Sequence, residues 1–286
     1  MLHVLTVHWQ SSAWIEPQLR YLKRYAPEDT RVWACLNGID PSFEDGFYFT
    51  ASLDGTHPEK LNQLADIVAS EADPSDHLLF IDGDALPLRP LEAMLSDRFP
   101  LIAVRRDENL GDPQPHPCFC ITSLAFWREI EGDWDRGYTW KNDLGLTVTD
   151  PGANVLKVLL DRELDWRPLC RMNTNDEHPI WFAVYGDAEY GPVAYHHGAG
   201  FRRRVARTDT MTAGFAFETQ KQPLRSPSWV PGARQIERKW RNRSIVRKRN
   251  RWERRELPKQ EALADEIFRG VLQGDDIVQR FVGRAT

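Results

Sequence analysis

Cysteine is scarce in this chain: four in 286 residues, Cys35, Cys118, Cys120 and Cys170. None forms a C-x-x-C pair, and no spacing suits zinc. A disulfide framework, a zinc ribbon and a thioredoxin-like redox motif are therefore excluded. Reduced thiols in a cytoplasmic protein are the simplest account. No run of 18 apolar residues exists, so no spanning helix is expected. The start, MLHVLTVHW, lacks the basic segment and apolar length of a secretory signal and reads as a first strand. Internal repeats are absent too. What remains is an ordinary globular composition, 41% hydrophobic and 28% charged. The length allows one large domain or a domain plus an extension.

The net charge of −5 hides an asymmetry. Residues 1–200 carry 16 Lys+Arg against 32 Asp+Glu, whereas residues 201–286 carry 21 against 10. Between Arg234 and Arg255 stand 11 Lys+Arg and 2 acids, interleaved with Trp240 and Trp252. An acidic body thus bears a basic extension. Three readings of that extension stay open: a solvated helix against the acidic body, an interfacial helix on anionic lipid, and a nucleic-acid arm, the least favoured.

Periodicity predicts strands at 2–9, 30–36, 46–51, 78–81 and 101–104, with helices over 14–25 and from about 58 to 69. This alternation argues an α/β fold with a mostly parallel sheet covered by helices. Residues 107–120, DENLGDPQPHPCFC, hold three prolines and read as a long loop. A helix is expected over 152–161, a short strand over 191–197, and two late helices near 233–255 and 258–283.

The segment Leu78–Leu88, LLFIDGDALPL, is the most telling. Its apolar run reads as a strand buried on both faces. Asp82 and Asp84 then sit at its carboxyl end, where open α/β sheets bind ligands. Gly83 is expected to permit a sharp turn, so both carboxylates can face one point. Two hard oxygen donors suit Mg²⁺ or Mn²⁺, and such a cation commonly carries phosphates. The late strand ends in His196-His197-Gly198-Ala199-Gly200. Neighbours on a strand face opposite ways, so one histidine can complete a metal site while the other packs.

The early βαβ half, D-x-D at a strand end and a late His followed by Gly resemble GT-A glycosyltransferases over about residues 1–205. The layout is closest to the retaining, glycogenin-like group. His197-Gly198-Ala199-Gly200 fits that group's H-x-x-G, which makes His197 the favoured ligand and His196 the reserve. His57-Pro58-Glu59-Lys60-Leu61-Asn62-Gln63-Leu64 resembles the H-x-x-x-L-N-x-L helix of bacterial members. The resemblance implies a GT-A catalytic domain at 1–205 and a largely helical extension at 206–286. It implies a nucleoside-diphosphate sugar as donor, a hydroxyl of a glycan, lipid or small molecule as acceptor, and a hexosyl group as cargo. Asp82, Asp84 and the histidine would hold Mn²⁺ or Mg²⁺, with Asp82 and Gly83 also touching the donor. Thr6, His8, Trp9 and Asn62 would meet the nucleotide, and Arg105 a phosphate or sugar carboxylate. Asp150, Asp107 and Glu108 are the candidates for contacting sugar or acting as a base. Asp150 also has a structural explanation, as a helix N-cap.

Three rivals remain. A haloacid-dehalogenase-type phosphohydrolase also uses D-x-D, but wants Thr or Val where Leu86 stands and an N-terminal motif. A nucleotide-sugar pyrophosphorylase wants a Gly-rich basic loop where VHWQSSAW stands. A non-catalytic lipid- or nucleic-acid-binding protein would make the basic extension the point. The expected location is the cytoplasm, with peripheral contact at the inner membrane face through that extension. Oligomerisation is left open.

Overall fold

The computed structural model describes residues 1–106, 111–142, 145–172, 183–198, 226 and 229–274. Strand β1 (Leu2–Trp9) leads through helix α1 (Ile15–Tyr25) to β2 (Thr30–Asn37). A 3₁₀ turn (Pro41–Gly46) precedes the short β3 (Phe49–Ala51), and α2 (His57–Glu71) returns the chain to β4 (His77–Asp82). Then come β5 (Ala85–Pro87), α3 (Glu92–Leu95), β6 (Leu101–Arg105), β7 (Pro115–Ser123) and α4 (Leu124–Glu129). A small ribbon of β8 (Trp140–Lys141) and β9 (Thr147–Val148) precedes α5 (Ala153–Asp161). The chain continues through β10 (Arg167–Arg171), β11 (Ala183–Asp187), β12 (Gly191–His196) and a last helix, α6 (Ala233–Gln273).

The main sheet has 10 strands in the order β3-β2-β1-β4-β7-β6-β10-β11-β12-β5. It is mixed, with the expected parallel β3-β2-β1-β4 half. Three strands, β7, β11 and β5, run against the other seven. Strand β4 is central and buried on both faces, as its unbroken apolar run predicts. Leu78 and Phe80 enter one core, with Leu61, Leu64 and Trp127. Leu79 and Ile81 enter the other, with Met94, Phe119 and Val193. Phe80 packs 4.7 Å from Trp127 and edge-on at 5.1 Å to Trp134. The strand's carboxyl end is therefore set by rigid packing from both sides.

Two expectations fail locally. Residues 115–123, expected as part of a loop up to 120, form β7 between β4 and β6. Its prolines misled, because proline breaks central ladders. Here Pro115 and Pro117 lie beyond the end of the β4 pairing, at Ile81 with Phe119. Pro117 falls in the register shift to β6 between Ala103 and Val104, and Pro115 pairs with Arg105 at the very end of both strands, so the missing N–H groups cost little. The second concerns the C-terminal part. A single helix, α6, runs from Ala233 to Gln273 through Pro258 where two were expected. It is not a detached arm: Ile267 and Val271 are buried with Trp14, Leu86, Val184 and Tyr195. Arg20 of α1 donates to the carbonyls of Val271 at 2.6 Å and Leu272 at 2.9 Å, satisfying orphan groups at the helix end. Among the described residues no helix is long and apolar enough to cross a membrane.

Candidate active site

Three side chains converge at the carboxyl end of β4. Asp82 closes that strand, Asp84 follows two residues on, and His196 closes β12, which pairs with β5 in the register His196–Ala85. Their ligand atoms all lie within 4.8 Å of one another. His196 Nε2 is 3.3 Å from Asp82 Oδ2 and 3.3 Å from Asp84 Oδ1. His57, the first residue of α2, approaches from the other side, its Nε2 3.3 Å from Asp82 Oδ1. Gly83 reaches the turn without a positive φ, so its value there is not left-handed freedom.

The electrostatics are those of a charged site inside protein. Burial pushes the Asp82 and Asp84 carboxyls up, but His57 and His196 at Asp82, and His196 at Asp84, override it and hold both below the usual carboxylate range. Burial would lower His196, yet Asp84 and the Asp82 contact drive it well above its ordinary value. An imidazolium at His196 offsets one of the two carboxylate charges. Behind them, His116 is held neutral by burial and by the Arg106 guanidinium, whose Nη1 lies 3.0 Å from its Nε2. The buried Cys118 thiol borders His196 and is pushed up by burial, so it stays protonated.

Two hard carboxylates and an imidazole within reach of one point suit a divalent cation. Asp82 Oδ1 fits that reading further: it is buried and, among the described residues, has no hydrogen-bond donor, only the 3.3 Å ion-pair approach of His57. A buried carboxylate oxygen left in this state is costly unless something positive completes it.

The histidine pair resolves opposite to the order expected from H-x-x-G. His196 faces the aspartates, while His197 turns to the other face of β12. There its Nδ1 lies 2.6 Å from the Tyr195 hydroxyl and its ring 4.7 Å from Trp14. The His196→Ala variant is expected to weaken Mn²⁺ binding at least tenfold, loss of one ligand having effects of that order or more. His197→Ala should lower the denaturation midpoint and leave the metal affinity within about twofold, since the loss is of packing on Trp14 and of the Tyr195 hydrogen bond. Paired Mn²⁺ titrations and urea melts read both. The reverse order would mean that the register of β12 is off by one.

Other expected residues sit elsewhere. Thr6 and His8 do not open to a nucleotide: both are buried, and both bind Gln18 Oε1, at 3.0 Å and 3.1 Å. They alternate onto the face of β1 covered by α1. Trp9, the next residue, is 48% exposed at the strand end. Asn62 is committed to the fold. Its Nδ2 donates to Asp133 at 2.6 Å and its Oδ1 accepts from the Trp134 amide at 3.0 Å. Arg105 ends β6, whereas its neighbour Arg106 is buried and reaches His116. Asp150 does not join the cluster and is not the N-cap of α5; Gly152 is, with φ of 91°. A Cβ on Gly152 would lie 1.9 Å from the Pro115 carbonyl, so the close approach demands glycine. Asp107, Glu108, Ala199 and Gly200 lie outside the described residues.

His8 makes a separate prediction. Burial drives its pKa down to about 4, against an ordinary 6.5. Between those values the unfolded chain binds a proton that the native chain refuses. Stability is therefore full above pH 6.5 and falls as pH drops toward 4, by roughly 3 kcal/mol. His116, depressed too, adds to the same slope. Urea midpoints at pH 7.5 and 4.5 should diverge less in His8→Gln than in wild type. Equal divergence would contradict the burial of a neutral His8.

No known protein-family profile and no curated protein sequence matches the chain. Solved structures similar to it include glycosyltransferases. A galactosyltransferase, LgtC, in complex with donor and acceptor sugar analogues shares 13% identity over 55% of this chain and 70% of its own, with a TM-score of 0.34. Glycosyltransferase GlyE of Streptococcus pneumoniae shares 12% over 59% of this chain, with a TM-score of 0.39, and the chain spans 46% of GlyE. Mannosyltransferase PcManGT of Pyrobaculum calidifontis, in complex with GDP-Man and Mn²⁺, shares 13% over 94% of this chain and 80% of its own, with a TM-score of 0.43.

Proposed function

We propose that this chain is a metal-dependent glycosyltransferase that moves a sugar, a hexose in the favoured reading, from a nucleoside-diphosphate donor to an acceptor hydroxyl. The observation that carries the reading is the convergence of Asp82, Asp84 and His196 at the end of the central strand β4. In the reaction the bond from the anomeric carbon to the diphosphate oxygen breaks, a bond to the acceptor oxygen forms, and the acceptor's proton leaves. A divalent cation held by Asp82, Asp84 and His196 would neutralise charge developing on the diphosphate. His57 steadies the Asp82 carboxylate from outside the ligand set, and Trp9 offers an exposed aromatic face to the base. Arg106 stands behind His116 and keeps that wall of the site positive. Retention of anomeric configuration is the favoured outcome, as the resemblance to the retaining, glycogenin-like group implies. Asp150, Asp107, Glu108 and Arg105 remain candidates for the sugar and acceptor side. Incubation with a panel of UDP- and GDP-sugars and Mn²⁺, followed by assay of released nucleoside diphosphate, tests the reading. Release of inorganic phosphate from simple phosphomonoesters instead would favour the phosphohydrolase.

The amino-terminal part of α6 is the contact for a lipid-borne acceptor in this reading. Ile236, Trp240 and Val246, with Trp229 just before the helix, are exposed large apolar side chains set among arginines. Each basic side chain near an anionic bilayer contributes about 1 kcal/mol, screened by salt. The protein should co-sediment with anionic vesicles at low salt and release at high salt. Absence of binding at low salt would return α6 to a solvated helix beside the acidic body.

A further inference from the structure

Gln18 stands out as a fully used polar group in an apolar setting. It lies on α1 one turn after Trp14 and is fully buried. Its Nε2 donates to two main-chain carbonyls, Asp82 at 2.8 Å and Ala85 at 3.1 Å. Its Oε1 takes the Thr6 hydroxyl at 3.0 Å and faces His8 Nε2 at 3.1 Å. The amide orientation is dictated chemically, because carbonyl oxygens only accept: the NH₂ must face Asp82 and Ala85. All four capacities of the amide are engaged.

The two carbonyls bracket the Asp82-Gly83-Asp84 turn. A third, that of Asp84, accepts from the His197 amide at 3.0 Å. The turn between β4 and β5 thus hangs from α1 on one side and β12 on the other. We propose that Gln18 is a positioning residue: it fixes the backbone of the D-x-D turn so that the Asp82 and Asp84 carboxylates converge on one cation. This rests on the metal reading for its consequence but not for the clamp itself. The Thr6 and His8 bonds hold the far end of the amide, so β1 serves as the frame against which the turn is registered.

Two variants separate the effects. Gln18→Glu keeps the oxygen toward Thr6 and His8 but sets an oxygen against the two carbonyls. Gln18→Met keeps the length and removes all four bonds. Each is made in the full chain, with circular dichroism and a thermal melt confirming the fold. Hydrogen exchange of a peptide covering residues 78–88 reads the clamp without metal. Mn²⁺ titration by electron paramagnetic resonance reads its consequence. Faster exchange in that peptide, together with a loss of Mn²⁺ affinity of about tenfold or more in both variants, supports the proposal. Unchanged exchange overturns the clamp, and faster exchange with unchanged Mn²⁺ affinity overturns the positioning role. If wild type binds no Mn²⁺, the metal reading fails and the positioning role falls with it, while the exchange comparison still decides whether Gln18 holds the turn.

Discussion

Replacing Asp84 with Asn is expected to lower Mn²⁺ affinity and sugar transfer on the order of 100-fold while the protein stays folded. Asp84 is 3% exposed and its carboxylate is directed at His196, 3.3 Å away, beside Asp82. The change removes one hard anionic ligand and leaves a neutral oxygen of nearly the same shape. Charge neutralisation at a diphosphate is worth several kcal/mol, and a cation site short of one carboxylate supplies less of it. The loss should appear in the Mn²⁺ titration before it appears in any stability measurement. Full transfer by Asp84→Asn, or by wild type in EDTA, would sink the metal assignment.

The second large effect is on folding. Ile267→Ala should destabilise the protein by about 2–5 kcal/mol, the range for cavity-forming changes at buried positions. Ile267 is fully buried, more than thirty residues into a helix whose earlier turns are strongly basic. Its cluster contains Trp14, Leu86, Val184 and Tyr195, contributed by the entry to α1 and by β5, β11 and β12. These elements also carry Gln18 and His196, so the end of α6 helps to set the two supports of the D-x-D turn. A urea melt reads the effect. A midpoint within error of wild type would mean that this end of α6 is not part of the core.

How much of this was legible in sequence depends on the kind of signal. Strands β1, β2 and β4 announce themselves because buried parallel strands are continuous apolar runs bounded by polar residues. The D-x-D pair was legible for the same reason, since it ends the clearest run in the chain. The choice between His196 and His197 was not. A strand fixes only that neighbours face opposite ways, and the phase is decided by β12 pairing with β5 and by the Tyr195–Trp14 side that receives His197. Strand β7 was hidden by its prolines, and with it the placement of His116 and Cys118 beside the site. Gln18 left no signal, as one glutamine on an amphipathic helix looks like a solvated face. Asn62 shows the converse: a motif position read as a nucleotide contact also ties α2 to Asp133 and Trp134, which the motif does not reveal.

Binding of UDP, GDP and CMP measured by calorimetry, each with and without Mn²⁺, tests the central claim most directly. One nucleoside diphosphate should bind at least about tenfold tighter with Mn²⁺ than without it, the gain expected when a cation bridges carboxylates and diphosphate. That gain should vanish in Asp84→Asn. Binding of none of the three, or binding indifferent to the metal in wild type, would contradict the account.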